Sequence, residues 1–250
     1  MIYTQRRGAG AALVLVHGIT ESHHSFDPLI EDLASDHDVL ALDLRGHGES
    51  VREGPFDVLR MALDVQEVLA SEAMVDVLLV GHSLGGTVVS VLAALGPVRG
   101  VINIDQTLDL AAFQDSLRAL EPLLRADAAT FEATMRMVFD AMRGPLTDEQ
   151  WARLSALRRF DQDVVLDIWA SVFELSEDEL ADMVSNLAGA VNAPYLSLHG
   201  TDPGEGYEEW LAGLIPQAVV ERWDGLGHYP HLAAPERFVR RLRDFEADLP

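Results

Sequence analysis

The sequence predicts an α/β fold, with a mainly parallel β-sheet flanked by helices and interrupted by a helical insertion. Short apolar runs alternate with amphipathic helical patterns over about the first hundred residues, the strand patterns then stop, and the alternation returns near residue 190. Strands that alternate with helices of ten or more residues form parallel sheets with right-handed crossovers. We therefore expect residues 1–106 and 190–250 to form one core and residues 107–189 to form an inserted helical cap.

The predicted strands are short apolar runs that end in polar or glycine-rich residues, as buried strands do. In chain order they are Leu13–Val16, Val39–Leu42, Val75–Val80, Val98–Ile104, Tyr195–His199 and Val219–Trp223. Helical spacing of apolar residues marks the core helices Phe26–Leu33, Asp57–Glu72, Leu84–Leu95, Glu208–Leu214 and Pro235–Glu246. The same spacing in the insertion predicts Phe131–Met142, Asp148–Leu157, Val164–Phe173 and Asp178–Leu187, divided by Pro122, Gly144-Pro145 and Gly189.

The composition excludes several kinds of chemistry. The 250 residues include 18 cationic and 41 acidic side chains, for a net charge of −23; all the cations are arginine, and cysteine is absent. Without lysine there is no Schiff-base or P-loop lysine, and without cysteine there is no thiol nucleophile, disulfide or thiolate metal site. The negative charge argues against nucleic acid or an anionic membrane surface as a partner. No apolar run is long enough to span a membrane or match a signal peptide, so we expect a cytoplasmic location.

The strongest functional signal is Gly81-His82-Ser83-Leu84-Gly85-Gly86, which lies between a predicted strand and a predicted helix. This is a G-x-S-x-G pattern in the strand-turn-helix context of a nucleophilic serine. The sharp turn brings the residues two positions on either side of Ser83 too close for side chains, so both are glycine. We therefore expect Ser83 to be a nucleophile exposed above the edge of the sheet.

A serine nucleophile needs a base, and the base needs an orienting carboxylate. His228 follows the last predicted strand, at the carboxyl edge where open α/β sheets place their sites. Two aspartates also follow strands and are candidates for the carboxylate. We prefer Asp202, which follows the predicted strand Tyr195–His199, and the order Ser83, Asp202, His228 is the one expected for this arrangement. Asp105 is the alternative.

The backbone amides of Ile19 and Leu84 are the candidate oxyanion donors. Leu84 begins the helix after the nucleophile, and Ile19 follows Gly18, which lets the chain approach a substrate oxygen closely. The segment Asp43–Ser50 carries glycines and charges, and we interpret it as an architectural loop near the site.

Apolar side chains in the insertion are candidates for contacts with substrate, although we expect most of them to pack inside the cap. The candidates are Met135, Phe139, Trp151, Trp169 and Phe173. The histidines, including His23-His24, lack the spacing of metal ligands, so we expect neither a metal ion nor a cofactor.

Taken together, His17-Gly18, Asp43–Ser50, Ser83, Asp202 and His228 resemble the α/β-hydrolase superfamily in residue type, order and spacing. The resemblance covers residues 1–106 and 190–250. It implies a mainly parallel eight-stranded sheet and a Ser-His-Asp hydrolase that acts on a small-molecule ester or related acyl compound through an acyl-enzyme on Ser83.

The same catalytic residues also occur with other activities in this superfamily. A cofactor-free perhydrolase or haloperoxidase, a lactonase, a carbon–carbon bond hydrolase and a hydrolase-like ligand receptor are the alternatives. Serine at the nucleophile position argues against the haloalkane dehalogenase and epoxide hydrolase branches, which attack with a carboxylate. Fold alone does not choose among the remaining activities.

Overall fold

A seven-stranded sheet forms the centre of the protein in the computed structural model, which describes residues 1–249. The strands are β1 (Thr4–Gly8), β2 (Ala11–Val16), β3 (His37–Leu42), β4 (Leu78–His82), β5 (Gly100–Ile104), β6 (Tyr195–His199) and β7 (Ala218–Arg222). Their spatial order is β1-β3-β2-β4-β5-β6-β7, and every pair except β1 with β3 is parallel. The mainly parallel sheet is thus confirmed, with seven strands in the described residues instead of the eight that the resemblance implied.

The edge strand β1 is the strand that the apolar patterns did not predict. Its sequence, TQRRG, is polar and largely exposed, so it lacks the hydrophobic signature of the central strands. Arg6 on this strand donates to Asp38, which lies on β3, and to Glu72, the residue after the helix Val58–Ser71. Charged side chains on an edge strand discourage pairing with another molecule, which accounts for this composition.

The helices of the core are α1 (Asp27–Leu33), α2 (Val58–Ser71), α3 (Leu84–Leu95), α10 (Tyr207–Leu214), α11 (Pro230–Ala233) and α12 (Pro235–Ala247). Between β5 and β6 lie α4 (Ala111–Leu124), α5 (Ala128–Ala141), α6 (Asp148–Leu157), α7 (Gln162–Ile168), α8 (Ala170–Glu174) and α9 (Glu177–Ala188), with no strand among them. We call residues 107–189 the insertion. Within residues 1–249, no helix has the length and apolar character needed to cross a membrane.

The insertion is divided into helices differently from the prediction at two places. The predicted helix Val164–Phe173 is divided at Trp169, whose backbone leaves helical geometry between α7 and α8. Pro122 does not separate two helices but lies within α4. It stands two residues before the end of that helix, which tolerates the loss of one backbone hydrogen bond, the bond to the Arg118 carbonyl.

The alternating side chains of the central strands supply two separate cores, as expected for a sheet covered on both faces. On β2, Val14 and Val16 pack into the cluster that contains residues of α2 and α3. Leu13 and Leu15 face the other side and pack with residues of α1 and α12. The buried central strands are a rigid support for the loops that follow their carboxyl ends.

Candidate active site

Ser83 stands at the tight bend between β4 and α3. Its φ of 52° and ψ of −122° lie outside the regions that L-residues favour. A Cβ atom on Gly81 would lie 2.1 Å from the carbonyl oxygen of Gly85, and one on Gly85 would lie 2.1 Å from that of Val16. Only glycine fits either position, as the G-x-S-x-G pattern predicted.

The end of β5 lies directly beside this bend. The amide of Ser83 donates to the carbonyl oxygen of Ile104, the last residue of β5, at 3.0 Å. Asp105 is the next residue and has a positive φ of 50°. Its amide donates to Leu198 of β6 at 2.7 Å. The pairing of β4, β5 and β6 therefore brings Asp105 next to the serine turn.

His228 donates from Nδ1 to Oδ2 of Asp105 at 2.7 Å. The other carboxylate oxygen, Oδ1, accepts from the amides of Gly200 and Thr201 at 2.7 and 2.9 Å. The Thr201 hydroxyl lies 3.0 Å from both oxygens. The carboxylate is therefore fully hydrogen-bonded, with its side chain 1% exposed and that of His228 12% exposed. The bond at Nδ1 fixes the tautomer of His228 and leaves Nε2 without a proton.

Both members of this pair are deprotonated at neutral pH, which leaves one charged and the other neutral. Burial alone would raise the pKa of Asp105, but the hydrogen bond and charge of His228, with the amides of Thr201 and Gly200, hold it well below its usual range. Burial lowers the pKa of His228 below its ordinary value, against the opposing effect of Asp105. At neutral pH the site thus combines an ionised carboxylate with a neutral imidazole that can accept a proton.

The preferred assignment of Asp202 as the partner of His228 is corrected by this geometry. The side chain of Asp202 is 66% exposed and lies 3.4 Å from Arg222. Its Oδ1 also accepts from the amide of Gly204 at 3.1 Å. Asp202 lies two residues beyond Gly200, whose amide binds Asp105, so the chain has already turned outward. It lies at the margin of the cavity described below, while Asp105 holds the histidine.

The candidate oxyanion amides lie near the same bend. Leu84 is the first residue of α3, so its amide has no partner inside the helix. Within residues 1–249, neither this amide nor that of Ile19 donates to another protein group. A Cβ atom on Gly18 would lie 3.2 Å from the Cβ of Ser83, so this loop approaches the serine closely. Both amides therefore lack a protein partner within residues 1–249, and both residues line the cavity described below.

A cavity of about 280 Å³ opens onto these groups. Ser83, Asp105 and His228 line it together, and no hydrogen bond joins the Ser83 side chain to His228 within the described chain. The remaining lining is largely apolar. Its apolar members are Ile19, Val58, Leu84, Leu110, Phe113, Leu117, Val138, Phe139, Met142, Ile168, Trp169, Val172 and Pro203. The core supplies the reactive groups, and the insertion supplies much of the apolar wall.

The five candidates from the insertion divide between the cavity and the surrounding packing. Phe139 and Trp169 line the cavity. Met135 is fully buried in the core, and Trp151 donates from its indole to Asp140 at 3.1 Å. Phe173 packs beneath the guanidinium of Arg125. The majority thus pack within the protein, as expected, and two are placed to touch a ligand.

Two buried charged residues near the site were missed by the sequence reasoning. Arg158 follows α6, and its guanidinium donates to the carboxylate of Glu21 at 3.2 Å. Each side chain is 2% exposed. A pair separated by 137 residues leaves no periodic signal in the sequence.

The loop Asp43–Ser50 has the architectural contacts that we expected, since Asp43 accepts from the amides of His23 and Glu49.

The described residues 1–249 contain no group of three or more acidic or histidine side chains arranged to hold a metal ion. The polar groups that line the cavity include the hydroxyl of Ser83, the imidazole of His228 and the carboxylate of Asp105, with Ile19 and Leu84 and their free amides beside them. This set can transfer a proton, attack an acyl carbon and bind an oxyanion.

Comparisons with known proteins agree with the observed fold. Residues 13–241 match the model of the alpha/beta hydrolase family. The chain is 28% identical to the esterase YbfF of Escherichia coli, over 98% of this chain and 96% of that protein. It is 26% identical to a pimeloyl-[acyl-carrier protein] methyl ester esterase of Aliivibrio fischeri, over 98% and 96% of the two chains. Among solved structures, the esterase RhEst1 from Rhodococcus is 28% identical with a TM-score of 0.77, over 100% of this chain and 95% of that one.

Proposed function

The chain belongs to the alpha/beta hydrolase family, and we propose that it is a serine hydrolase that cleaves carboxylic esters, with Ser83 as nucleophile, His228 as base and Asp105 as the orienting acid. The observation that carries the proposal is the hydrogen bond of 2.7 Å from His228 to the buried Asp105, in a cavity that Ser83 also lines. The relatives named as esterases support the same reaction class.

The first half of the reaction forms an acyl-enzyme. Nε2 of the neutral His228 removes the proton of the Ser83 hydroxyl as Oγ attacks the ester carbonyl carbon. Contacts between serine and histidine commonly tighten only when substrate is bound. Asp105 stabilises the imidazolium that forms. When the tetrahedral intermediate collapses, the bond to the alkoxy group breaks and His228 returns its proton to the leaving alcohol.

In the second half, water is the nucleophile and Ser83 is the leaving group. His228 takes a proton from a water molecule, whose oxygen attacks the acyl carbon, and Ser83 leaves with the proton that His228 returns. In both halves the amides of Ile19 and Leu84 donate to the oxyanion. Removal of one such donor costs about 10²–10³-fold in kcat in enzymes of this kind.

The cavity favours a small, neutral ester. Its volume of about 280 Å³ lies just below the range of typical ligand pockets, which is roughly 300–1,000 Å³. The acidic lining groups are Asp105 and Asp202, and among the described residues no arginine lines the cavity. A carboxylate on the substrate would therefore meet like charge without a cation to balance it. Residues 107–189 act as the cap that encloses the acyl or alcohol group of the substrate. The cytoplasmic location stays a sequence-based prediction.

A fluorophosphonate probe and an ester substrate test the proposal together. We expect one probe adduct on Ser83 in intact-mass analysis, and hydrolysis of p-nitrophenyl butyrate that the same probe inhibits. Ser83→Ala removes both signals, whereas Ser116→Ala, at an exposed position on α4, retains them. Folded wild-type protein that neither accepts the probe nor hydrolyses short esters would contradict the proposal.

A further inference from the structure

A buried ion pair joins the insertion to the loop that carries the Ile19 amide. Arg158 stands directly after α6, and Glu21 lies two residues after Ile19. Nη2 of Arg158 donates to Oε1 of Glu21 at 3.2 Å, and both side chains are almost completely buried. Arg158 does not line the cavity, so it does not reach a substrate bound there.

The same segment holds the Ile19 loop at Thr20. Nη1 of Arg158 donates to the Thr20 hydroxyl at 3.0 Å, and the amide of Arg159 donates to the Thr20 carbonyl at 2.9 Å. Thr20 has a positive φ of 66°, a conformation that is unfavourable for a β-branched residue. Such a conformation persists only when the surroundings enforce it. The contacts from the insertion supply that enforcement next to the proposed oxyanion donor.

The cluster also reaches the loop of the catalytic histidine. Nη2 of Arg158 donates to the hydroxyl of Tyr229, the residue after His228. Oε2 of Glu21 lies 3.6 Å from Nδ1 of His82, and Nε2 of His82 donates to the carbonyl oxygen of His228 at 2.8 Å. The guanidinium also lies 3.7 Å from the centre of the Phe139 ring. One buried cluster therefore connects the insertion, the loop that carries Ile19 and the loop that carries His228.

Glu21 is ionised in this cluster. Burial alone would raise its pKa, but the nearby His82 and the positive charge of Arg158 hold the pKa well below its usual range. A buried charge that loses its partner is strongly destabilising, whereas removal of both charges of a buried pair is often tolerated. This difference allows the effect of the pair on folding to be separated from its effect on catalysis.

We infer that Arg158 is a positioning residue, which fixes the direction of the Ile19 amide through Thr20 and Glu21. Oxyanion binding would then depend on the contact between the insertion and the loop that carries Ile19. This inference rests on the proposed function. It assigns to Arg158 a contribution to the transition state and little to the binding of the ground-state ester, because its hydrogen bonds are made with the two loops and it meets the cavity wall through the Phe139 ring.

The central experiment compares Arg158→Met, the double variant Arg158→Met/Glu21→Gln and the control Arg153→Met. Arg153 also links the insertion to the core, since its guanidinium donates to the His24 carbonyl at 2.7 Å and to Asp27 at 3.2 Å, but its side chain is 39% exposed. We expect the double variant to keep a melting temperature close to the wild type. Its kcat for p-nitrophenyl butyrate should fall about 10- to 100-fold, with KM changed by less than about threefold.

An alkylboronic acid, whose adduct with serine places an oxygen where the oxyanion forms, gives a second readout. We expect the double variant to bind it at least about tenfold more weakly and the control variant to bind it as the wild type does. A folded double variant with wild-type kcat and boronic acid affinity would overturn the inference alone. A wild type without Ser83-dependent hydrolysis would overturn the proposed function and this inference with it.

Discussion

Replacement of Asp105 by asparagine is the most direct test of the proposed catalytic groups. The matched change is Asp202→Asn, because both aspartates follow strands of the same sheet edge and both line the cavity. Asp105 is buried against His228, whereas the side chain of Asp202 is 66% exposed beside Arg222. The two variants remove the same charge from the same cavity, but only one of them removes the acceptor of the His228 proton.

The hydrogen bonds of Asp105 set the expected size of the effect. Oδ1 accepts from the amides of Gly200 and Thr201, so the oxygen of an asparagine takes that position and its NH2 group replaces Oδ2. The NH2 group then donates to Nδ1 of His228, which moves the ring proton to Nε2 and leaves no acceptor for the Ser83 proton. The corresponding change in a serine protease lowers kcat about 10⁴-fold, or about 5 kcal/mol in the barrier.

Steady-state hydrolysis of p-nitrophenyl butyrate, with thermal melting as a check on folding, measures both variants. We expect Asp105→Asn to lose about four orders of magnitude in kcat with little change in KM. Asp202→Asn loses an exposed ion pair worth about 1 kcal/mol at most, so its kcat should stay within about fivefold. A folded Asp105→Asn enzyme that keeps more than about a tenth of the wild-type kcat, while Asp202→Asn loses most of it, would refute this reasoning.

Three further predictions concern pH, backbone packing and substrate charge. Only neutral His228 accepts the serine proton, and burial lowers its pKa below 6.5, so kcat/KM should be full at pH 7 and fall through a midpoint below pH 6.5; an acid midpoint above pH 7 would contradict this in a pH–rate profile. Gly85→Ala places a Cβ atom 2.1 Å from the Val16 carbonyl and should lower the free energy of unfolding in urea by at least about 1–3 kcal/mol. Its control, Gly213→Ala, lies in α10 with open space around it and should raise that free energy by about 0.5–1 kcal/mol. The kcat/KM of a neutral butyrate ester should be at least about tenfold higher than that of the hemisuccinate ester of the same alcohol. In Asp202→Asn the difference between the two kcat/KM values should be smaller. Equal kcat/KM values in the wild type would show that the cavity does not select by charge.

The features that the sequence predicted are those encoded within a few neighbouring residues. Apolar runs identified the central strands, and the G-x-S-x-G pattern identified the turn at Ser83, because the turn itself excludes side chains at Gly81 and Gly85. The polar edge strand β1 was missed, because its pairing with β3 depends on hydrogen bonds along the backbone and not on burial of its side chains. Chain order did not separate Asp105 from Asp202, since both lie between Ser83 and His228.

By itself, the sequence determined an α/β sheet with a helical insertion, a serine held at a strained turn and a histidine on a late loop, because each depends on residues close together in the chain. Tertiary structure alone decided that Asp105 faces His228, because that contact requires β5 to lie between β4 and β6. It likewise brought Arg158 to Glu21 across 137 residues. Contacts of this kind arise from how strands and helices are arranged in space, and the local pattern around either residue carries no record of them.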